Sequence, residues 1–280
     1  MKSMQDIVFD FKATSNEESD LSVAKFCVFL RDYFATEKSL IGKIEAATRL
    51  QSESREWALQ KSSRITSSSF RQVIVRQKRL SAAGEKIIDN QKLVNKLVKP
   101  AAGLIHSQSL TWGRNNEGRA REAYREYAQR EHMNFKIHSC GLFVDHNSPF
   151  LAASPDGLVS CDCCGAGVLE IKCPYTLKDS DPQLAPYITS DGVDHEHSSG
   201  YYQQIQGSMA ITGRNYCDFI VWTSKGLLVR RVKYNDVYWR SEMLPHLTAF
   251  FSDVLGPVVA RIPRLETAVA HSVHRKDRGY

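Results

Sequence analysis

Three side chains capable of metal and phosphate chemistry flank a short cysteine-rich turn. Asp156 lies in residues 153–159, and Glu170 and Lys172 lie in residues 168–174. Side chains alternate across a strand, so Glu170 and Lys172 project from one face while the residue between them points into the core. A hairpin between the two segments would bring Asp156 to that face. One face would then carry two carboxylates and an ammonium group.

These residue types predict a Mg²⁺ site that cuts phosphodiester bonds. Mg²⁺ prefers oxygen ligands in octahedral geometry, and carboxylates, a backbone carbonyl and water supply them. A bound metal ion activates water and stabilises the attacking and leaving oxygens at phosphorus. We expect Asp156 to be the bridging metal ligand, and Glu170 and the Ile171 carbonyl to be the remaining protein ligands. Lys172 is expected to position the attacking water. Mn²⁺ should substitute for Mg²⁺.

Each of these residues also has a structural interpretation. Asp156 and Gly157 could form only a type I′ turn, and Glu170 and Lys172 could be the solvated face of a strand. Farther upstream, Glu117 could be a surface residue paired with an arginine on its own helix. Gln204 and Gln206 could be exposed helix positions. The spacing alone leaves both interpretations open.

The segments around the site add a family resemblance. They are RITSSSF (64–70), WG (112–113) followed by Glu117, SPDGL (154–158), EIKCPY (170–175) and YYQQIQ (201–206). In this order they resemble the YqaJ-like family of phage-type alkaline exonucleases, within the PD-(D/E)xK nuclease superfamily. The resemblance covers about residues 48–255.

The resemblance implies a Mg²⁺-dependent deoxyribonuclease that digests one strand of linear double-stranded DNA from its 5′ end in recombination or end resection. It implies that Glu117 faces the metal from a long helix and that Ser154 contacts the terminal 5′ phosphate. It assigns Gln204, with Tyr201 and Gln206, to the helix that flanks the catalytic sheet. The partners it implies are double-stranded DNA ends, a single-strand annealing protein and further copies of the chain.

One departure concerns the terminal phosphate. The phage-type enzymes use an arginine where this chain has Ser69, so phosphate capture falls to Arg71, Arg64 or the start of the helix predicted over residues 70–80. Free N–H groups at a helix N-terminus bind anions, and hydroxyls such as that of Ser67 lie beside them. A plain helix cap explains the same serines equally well.

Two other functions remain open. The same metal site would make an endonuclease if the DNA channel is open at both ends. Alternatively, the chain could be a DNA-binding module that has lost catalysis. The presence of Asp156, Glu170 and Lys172 favours an active enzyme, because a degenerate nuclease usually loses one of them.

Composition is consistent with a nucleic-acid partner. The 280 residues carry a formal net charge of +6, and residues 49–99 contain twelve Lys and Arg against four Asp and Glu. Clustered positive charge attracts phosphates, although a solvated helical surface is the simpler explanation of charge alone. No signal segment and no apolar run of about eighteen residues are recognised, so we expect an intracellular, soluble protein, nuclear in a eukaryote.

The seven cysteines are expected to be free thiols in a reducing compartment. Cys161, Cys163 and Cys164, with Cys173 nearby, are spaced unlike a paired zinc motif. We therefore expect a tight turn with ordinary thiols rather than a metal site.

The predicted fold is α/β (α+β), a restriction-endonuclease-like core with a mixed central sheet flanked by helices. The chain divides into an acidic, helical extension (1–47) whose first 20 residues are mobile, a nuclease domain (48–255) and a flexible basic tail (256–280). Helices are expected near 20–34, before 51, and over 70–80, 84–99, 110–132, 201–212 and 235–255. Strands are expected over 135–145, 150–160, 168–173, 216–222 and 227–234.

Overall fold

The computed structural model describes residues 1–14, 22–36, 39–84, 89–99 and 107–261. Its helices are α1 (Met4–Thr14), α2 (Val23–Thr36), α3 (Leu40–Ala47), α4 (Arg55–Lys61), α5 (Phe70–Ala82), α6 (Gln91–Val98), α7 (Gln108–Glu131), α8 (Tyr201–Thr212) and α9 (Asp236–Arg261). Its strands are β1 (Ile65–Thr66), β2 (Lys136–His138), β3 (Phe143–Val144), β4 (Leu151–Ala153), β5 (Gly157–Cys161), β6 (Gly165–Lys172), β7 (Tyr216–Thr223) and β8 (Gly226–Lys233).

The central sheet is mixed, as predicted, with strand order β2-β5-β6-β7-β8. Strands β5 and β6 form the expected antiparallel hairpin, in which Gly157 pairs with Leu169 and Cys161 with Gly165. Strand β7 runs parallel to β6, and β8 returns antiparallel to β7. A parallel neighbour requires a crossover, and the chain between β6 and β7 contains α8. A smaller sheet has the order β1-β4-β3.

Two helices cover the two faces of the central sheet. On one face, Tyr124 of α7 is buried in a cluster with Leu169 and Ile171 of β6. On the other, Ile205 of α8 is buried with Val168 of β6. Strand β6 is therefore buried on both faces, which is the environment of a central strand with a parallel neighbour.

The N-terminal helices belong to the largest core cluster, and the prediction that the first 20 residues are mobile is wrong for α1. Its Met4, Ile7, Val8 and Phe11 are buried. Apolar residues at this spacing form one face of a helix, which the acidic neighbours concealed at sequence level. Residues 15–20, the rest of this segment, lie outside the described part of the chain.

Several predicted strands and helices are interrupted in the structure. Residues 135–145 and 150–160 each contain two short strands rather than one. Within residues 84–99, the described helix begins at Gln91, after Gly84 has taken the left-handed conformation (φ 58°). The predicted helices over 70–80, 110–132 and 201–212 are confirmed within two residues.

The last helix is longer and more apolar than expected. It extends to Arg261, with Val259 buried, so the segment predicted as a tail begins in helix; residues 262–280 lie outside the described part. Among the described helices, α9 alone has the length and hydropathy of a membrane span. Its Met243, Leu247 and Phe250 are fully buried in the largest core cluster, which is the position of a core helix.

Candidate active site

Asp156 lies immediately before β5 and is fixed by the neighbouring strand. Its Oδ2 accepts a hydrogen bond of 2.6 Å from the backbone N–H of Ile171. Gly157 is not among the residues with positive φ, so the type I′ turn alternative is wrong. A Cβ on Gly157 would lie 3.1 Å from Nη1 of Arg121 and 3.3 Å from a backbone oxygen, which explains the glycine by close packing.

Glu170 is buried at the centre of the site, with 2% of its surface exposed. Its Oε1 accepts hydrogen bonds from Lys172 Nζ (2.6 Å) and Gln204 Nε2 (2.5 Å). Its Oε2 is buried and has no hydrogen-bond partner among the described residues. The solvated-strand alternative is therefore wrong for Glu170, because α8 covers this face of the sheet.

Lys172 is held between β6 and α8. Besides its ion pair with Glu170, Nζ lies 3.4 Å from Oε1 of Gln204 and 4.7 Å from the centre of the Tyr201 ring. Both α8 residues had been assigned to the site by resemblance, and the structure brings them to Lys172. The ammonium group thus has a fixed position beside the carboxylates.

Glu117 reaches the site from α7, together with a residue that sequence reasoning had treated only as a possible surface partner. Arg121 Nη2 lies 3.3 Å from Oε1 of Glu117 and also donates to the backbone carbonyl of Asp156. The expected surface pair exists, but it faces the site. The sequence did contain a signal for Arg121, because a cation one helical turn after Glu117 can contact it.

Burial raises the pKa of all three acidic groups, and the charge of Asp156 adds to this effect at Glu170 and Glu117. Burial, and then the charge of Asp156, raise the pKa of Glu170 to about 7. The same two causes raise the pKa of Glu117, and burial raises that of Asp156. Burial tends to lower the pKa of Lys172, but the Glu170 and Asp156 carboxylates outweigh it and raise the pKa above its usual value. Lys172 is therefore a charged donor.

The donor set fits a hard divalent cation. An unpartnered buried carboxylate oxygen costs about 1–3 kcal/mol or more, and Oε2 of Glu170 is such an atom. Asp156 carries its carboxylate beside the same strand, and Glu117 adds a third acidic group. Carboxylate oxygens are the ligands that Mg²⁺ prefers. The carbonyl of Ile171 as a further ligand stays a prediction.

Ser154 is held by two neighbours just before Asp156. Its hydroxyl accepts a hydrogen bond from Trp57 Nε1 (3.0 Å) and donates to the carbonyl of Gly141 (3.5 Å). Nearby, Gln51 Nε2 donates to the carbonyl of Pro155 at 2.9 Å. Trp57 and Gln51 were not predicted site residues. A phosphate contact by Ser154 would require its hydroxyl proton to leave Gly141.

The structure does not bring three of the phosphate candidates to the surface. Arg64 is 1% exposed, and Ser67 and Ser69 are each 4% exposed. Arg64 donates from Nε to the carbonyl of Pro149 (3.0 Å) and from Nη1 to that of Gln60, so its charge is used inside the protein. Burial lowers its pKa to about 10. A phosphate-binding role of Arg64, Ser67 or Ser69 stays a prediction, and their burial does not favour it.

Two further candidates for DNA or phosphate contacts differ in how far they are exposed. Gln206 is fully buried and joins α8 to the end of β8, since it donates to the carbonyl of Lys233 (2.9 Å) and accepts from Asn235 N–H (2.8 Å). Arg71 is half-buried, and its Nη2 donates to the carbonyl of Glu196 (3.0 Å) beside the start of α8. Arg71 is thus the cationic candidate left near solvent.

The fold and site define a class. A mixed sheet that carries Asp156 before one strand and Glu170, Ile171 and Lys172 at the end of the next, between two helices, is the core of the PD-(D/E)xK nuclease type. The sequence profile of the YqaJ-like viral recombinase domain matches residues 56–215, more than half of the chain. The protein belongs to that family. No match was found among curated proteins.

Solved structures share the fold. The alkaline exonuclease LHK-Exo from Laribacter hongkongensis in complex with dAMP is 21% identical, with a TM-score of 0.52, over 74% of this chain and 94% of that one. The same exonuclease without a named ligand gives a TM-score of 0.50. A SOX–DNA complex is 12% identical, with a TM-score of 0.52, over 92% of this chain and 91% of that one.

Proposed function

We propose that the protein is a Mg²⁺-dependent deoxyribonuclease that digests one strand of linear double-stranded DNA from its 5′ end. The observation that carries this proposal is the buried carboxylate of Glu170, whose Oε2 has no partner among the described residues and whose Oε1 is bound to Lys172. Asp156 and Glu117 are two further acidic groups whose charges act on Glu170. Family membership is consistent with a nuclease.

Asp156, Glu170 and the carbonyl of Ile171 would hold the metal ion, with Mn²⁺ able to replace Mg²⁺. When bound, the ion supplies a Lewis acid that lowers the pKa of a water molecule and neutralises charge at the phosphate. Ile171 N–H fixes Asp156, and Gln204 fixes both Glu170 and Lys172. Lys172, kept protonated by the carboxylates, donates to the attacking water or to the developing charge rather than removing a proton.

A DNA substrate is supported by two of the structural relatives, one solved in complex with DNA and one in complex with dAMP. The 5′ to 3′ direction rests on the resemblance to phage-type enzymes. We assign recognition of the terminal phosphate to Arg71 of α5, the half-buried cation beside the start of α8, assisted by Ser154 and Tyr201. A single-strand annealing protein, self-association and an intracellular location belong to the same proposal.

The test is digestion of a linear duplex labelled separately at its 5′ and 3′ ends, beside a covalently closed circle, with Mg²⁺ present. We expect release of the 5′ label as mononucleotide while the circle stays intact. Asp156→Asn and Glu170→Gln should abolish cleavage and retain DNA binding, because phosphate contacts elsewhere supply most of the affinity. Lys172→Met should lower the rate by about 10²–10³-fold with little change in Kd.

Glu122→Gln is the control. Glu122 lies on the same helix as Glu117, but it pairs with Arg125 in solvent. It should digest DNA at the parental rate. Nicking of the circle would identify an endonuclease instead. DNA binding without cleavage by the parental protein would identify an inactive binding module, and cleavage retained by Asp156→Asn would refute the site.

A further inference from the structure

A second group of metal-binding side chains lies at the other end of the β5–β6 hairpin. Cys161 ends β5, Cys163 and Cys164 form the turn, and His132 follows the last residue of α7. Their sulfur atoms and one ring nitrogen all lie within 4.8 Å of one another. Three thiols and one imidazole are a common ligand set of structural zinc sites.

Four of the six separations match one shared ion, and the other two are at most 4.8 Å. Sγ of Cys163 lies 3.4 Å from Sγ of Cys161 and 3.7 Å from Sγ of Cys164, and Nδ1 of His132 lies 3.2 Å and 3.6 Å from Cys163 and Cys164. Tetrahedral zinc with bonds of about 2.0–2.3 Å spaces its ligands by about 3.3–3.8 Å. A disulfide would need about 2.05 Å, and all these cysteines are free thiols.

The ligands are positioned by the protein itself. Asp162 N–H donates to the carbonyl of Met133 (3.0 Å), and Asn134 Nδ2 donates to Asp162 (2.6 Å), which ties the end of α7 to the hairpin turn. Gly165 closes the turn in the left-handed conformation (φ 73°). The ring of His132 stacks on Phe135 with centroids 6.0 Å apart.

A cation balances the charge of the site. Three thiolates and a neutral imidazole around Zn²⁺ have a net charge of −1, and the three thiol protons are released on binding. Arg231 donates from Nη1 to Sγ of Cys164 (3.1 Å) and is anchored on the buried carboxylate of Asp218 (2.7 and 2.9 Å). With Nδ1 on the metal, the other ring nitrogen carries the proton, so the 3.4 Å contact between Arg231 and Nε2 would open.

We propose that Cys161, Cys163, Cys164 and His132 bind one structural Zn²⁺ ion that fastens the end of α7 to the β5–β6 hairpin. Four protein ligands leave no open coordination position, so the role is structural. Soft thiolates select zinc over the hard cations that suit the acidic site. The expectation of ordinary thiols did not take His132 into account. This residue is 29 residues from Cys161 in sequence, and the fold brings it beside the turn.

Zinc content tests this site without reference to DNA cleavage. The protein purified under reducing conditions should contain one zinc ion per chain by inductively coupled plasma mass spectrometry. Cys163→Ser, Cys164→Ser and His132→Ala should lose it, whereas Cys27→Ser, a half-buried cysteine of α2, should keep it. Asp156→Ala should also keep it, because the acidic site is separate.

Cobalt provides a measurement on the unaltered chain, independent of whether the variants fold. Co²⁺ added after zinc removal should give thiolate charge-transfer absorption and the intense visible bands of tetrahedral coordination, and Zn²⁺ should displace them. Absence of zinc together with absence of these bands would overturn the proposal. So would equal zinc content in the cluster variants, or a disulfide among Cys161, Cys163 and Cys164 in the freshly purified protein.

Discussion

The two oxygens of Glu170 have different environments, and this difference organises the site. Oε1 is bound by Lys172 and Gln204, while Oε2 is buried without a partner among the described residues. A carboxylate held by one oxygen keeps its orientation and leaves the other free for a cation. Arg121 provides a similar restraint for Asp156, since it holds the backbone carbonyl of that residue rather than its carboxylate.

Arg121→Gln should therefore reduce the rate of cleavage through a change in position. Residues that orient metal ligands typically contribute about 10–100-fold to activity or metal affinity, and we expect a loss in that range. Raising the Mg²⁺ concentration should recover part of it, as measured by initial rates on end-labelled duplex. Arg125→Gln, one turn along the same helix and paired in solvent with Glu122, is the control. Equal losses in both variants would indicate a general effect of charge on DNA binding.

At the level of elements, α8 must approach closely enough for Gln204 to reach the sheet. Gly207 lets α8 pack closely on α5, which helps to fix where α8 lies, because a Cβ there would lie 2.2 Å from Cε2 of the fully buried Phe70 of α5. Phe70 in turn packs on Trp239 of α9 with ring centroids 6.0 Å apart, so it has little freedom to move away. The position of the glutamine thus depends on a glycine one turn further along the helix.

Gly207→Ala should destabilise the protein by about 1–3 kcal/mol, because overpacking forces side chains or backbone to shift. The matched control is Gly118→Ala in α7, where nothing lies within 4 Å of the added Cβ. Alanine favours a helix interior by about 1 kcal/mol over glycine, so this control should be stabilised. Denaturant unfolding measures both. Destabilisation of similar size at both positions would refute the packing argument.

On the scale of the whole molecule, the N-terminal helices are part of the folded unit. Phe26 and Leu30 of α2 and Ile7 of α1 are fully buried in the cluster that also contains Leu255 of α9. The smaller sheet, through Val144 and Leu151 of the same cluster, is therefore packed against helices from both ends of the described chain. The extension proposed for residues 1–47 contributes to this core in addition to preceding the domain.

Leu30→Ala should lower the free energy of unfolding by about 2–5 kcal/mol, the range for a buried leucine that leaves a cavity. Val28→Ala, on the exposed side of the same helix (47% exposed), should change it by less than about 0.5 kcal/mol. Both values come from denaturant unfolding monitored by circular dichroism. A stability unchanged by Leu30→Ala would show that α1 and α2 are dispensable to the fold.

Local patterns in the sequence predicted most helices and strands and identified Asp156, Glu170 and Lys172 as the residues that could do chemistry. Strand patterns predicted the segments of β5 and β6 and suggested that they could pair as a hairpin. Helix signals predicted Tyr201–Thr212 with its bounds, because such patterns depend on neighbouring residues. The order of motifs indicated the family. The same reasoning placed Glu170 and Lys172 on one face of a strand.

Burial and the long-range contacts could not be read from the sequence and depend on how the elements pack. Covering β6 on both faces turned Glu170 from a possible surface residue into a buried one, and packing of α7 brought Arg121 to Asp156, 35 residues away. The same helix brings His132 to the cysteine turn. Such contacts depend on how helices dock on the sheet, and docking is set by the summed packing of many side chains, which no local pattern encodes.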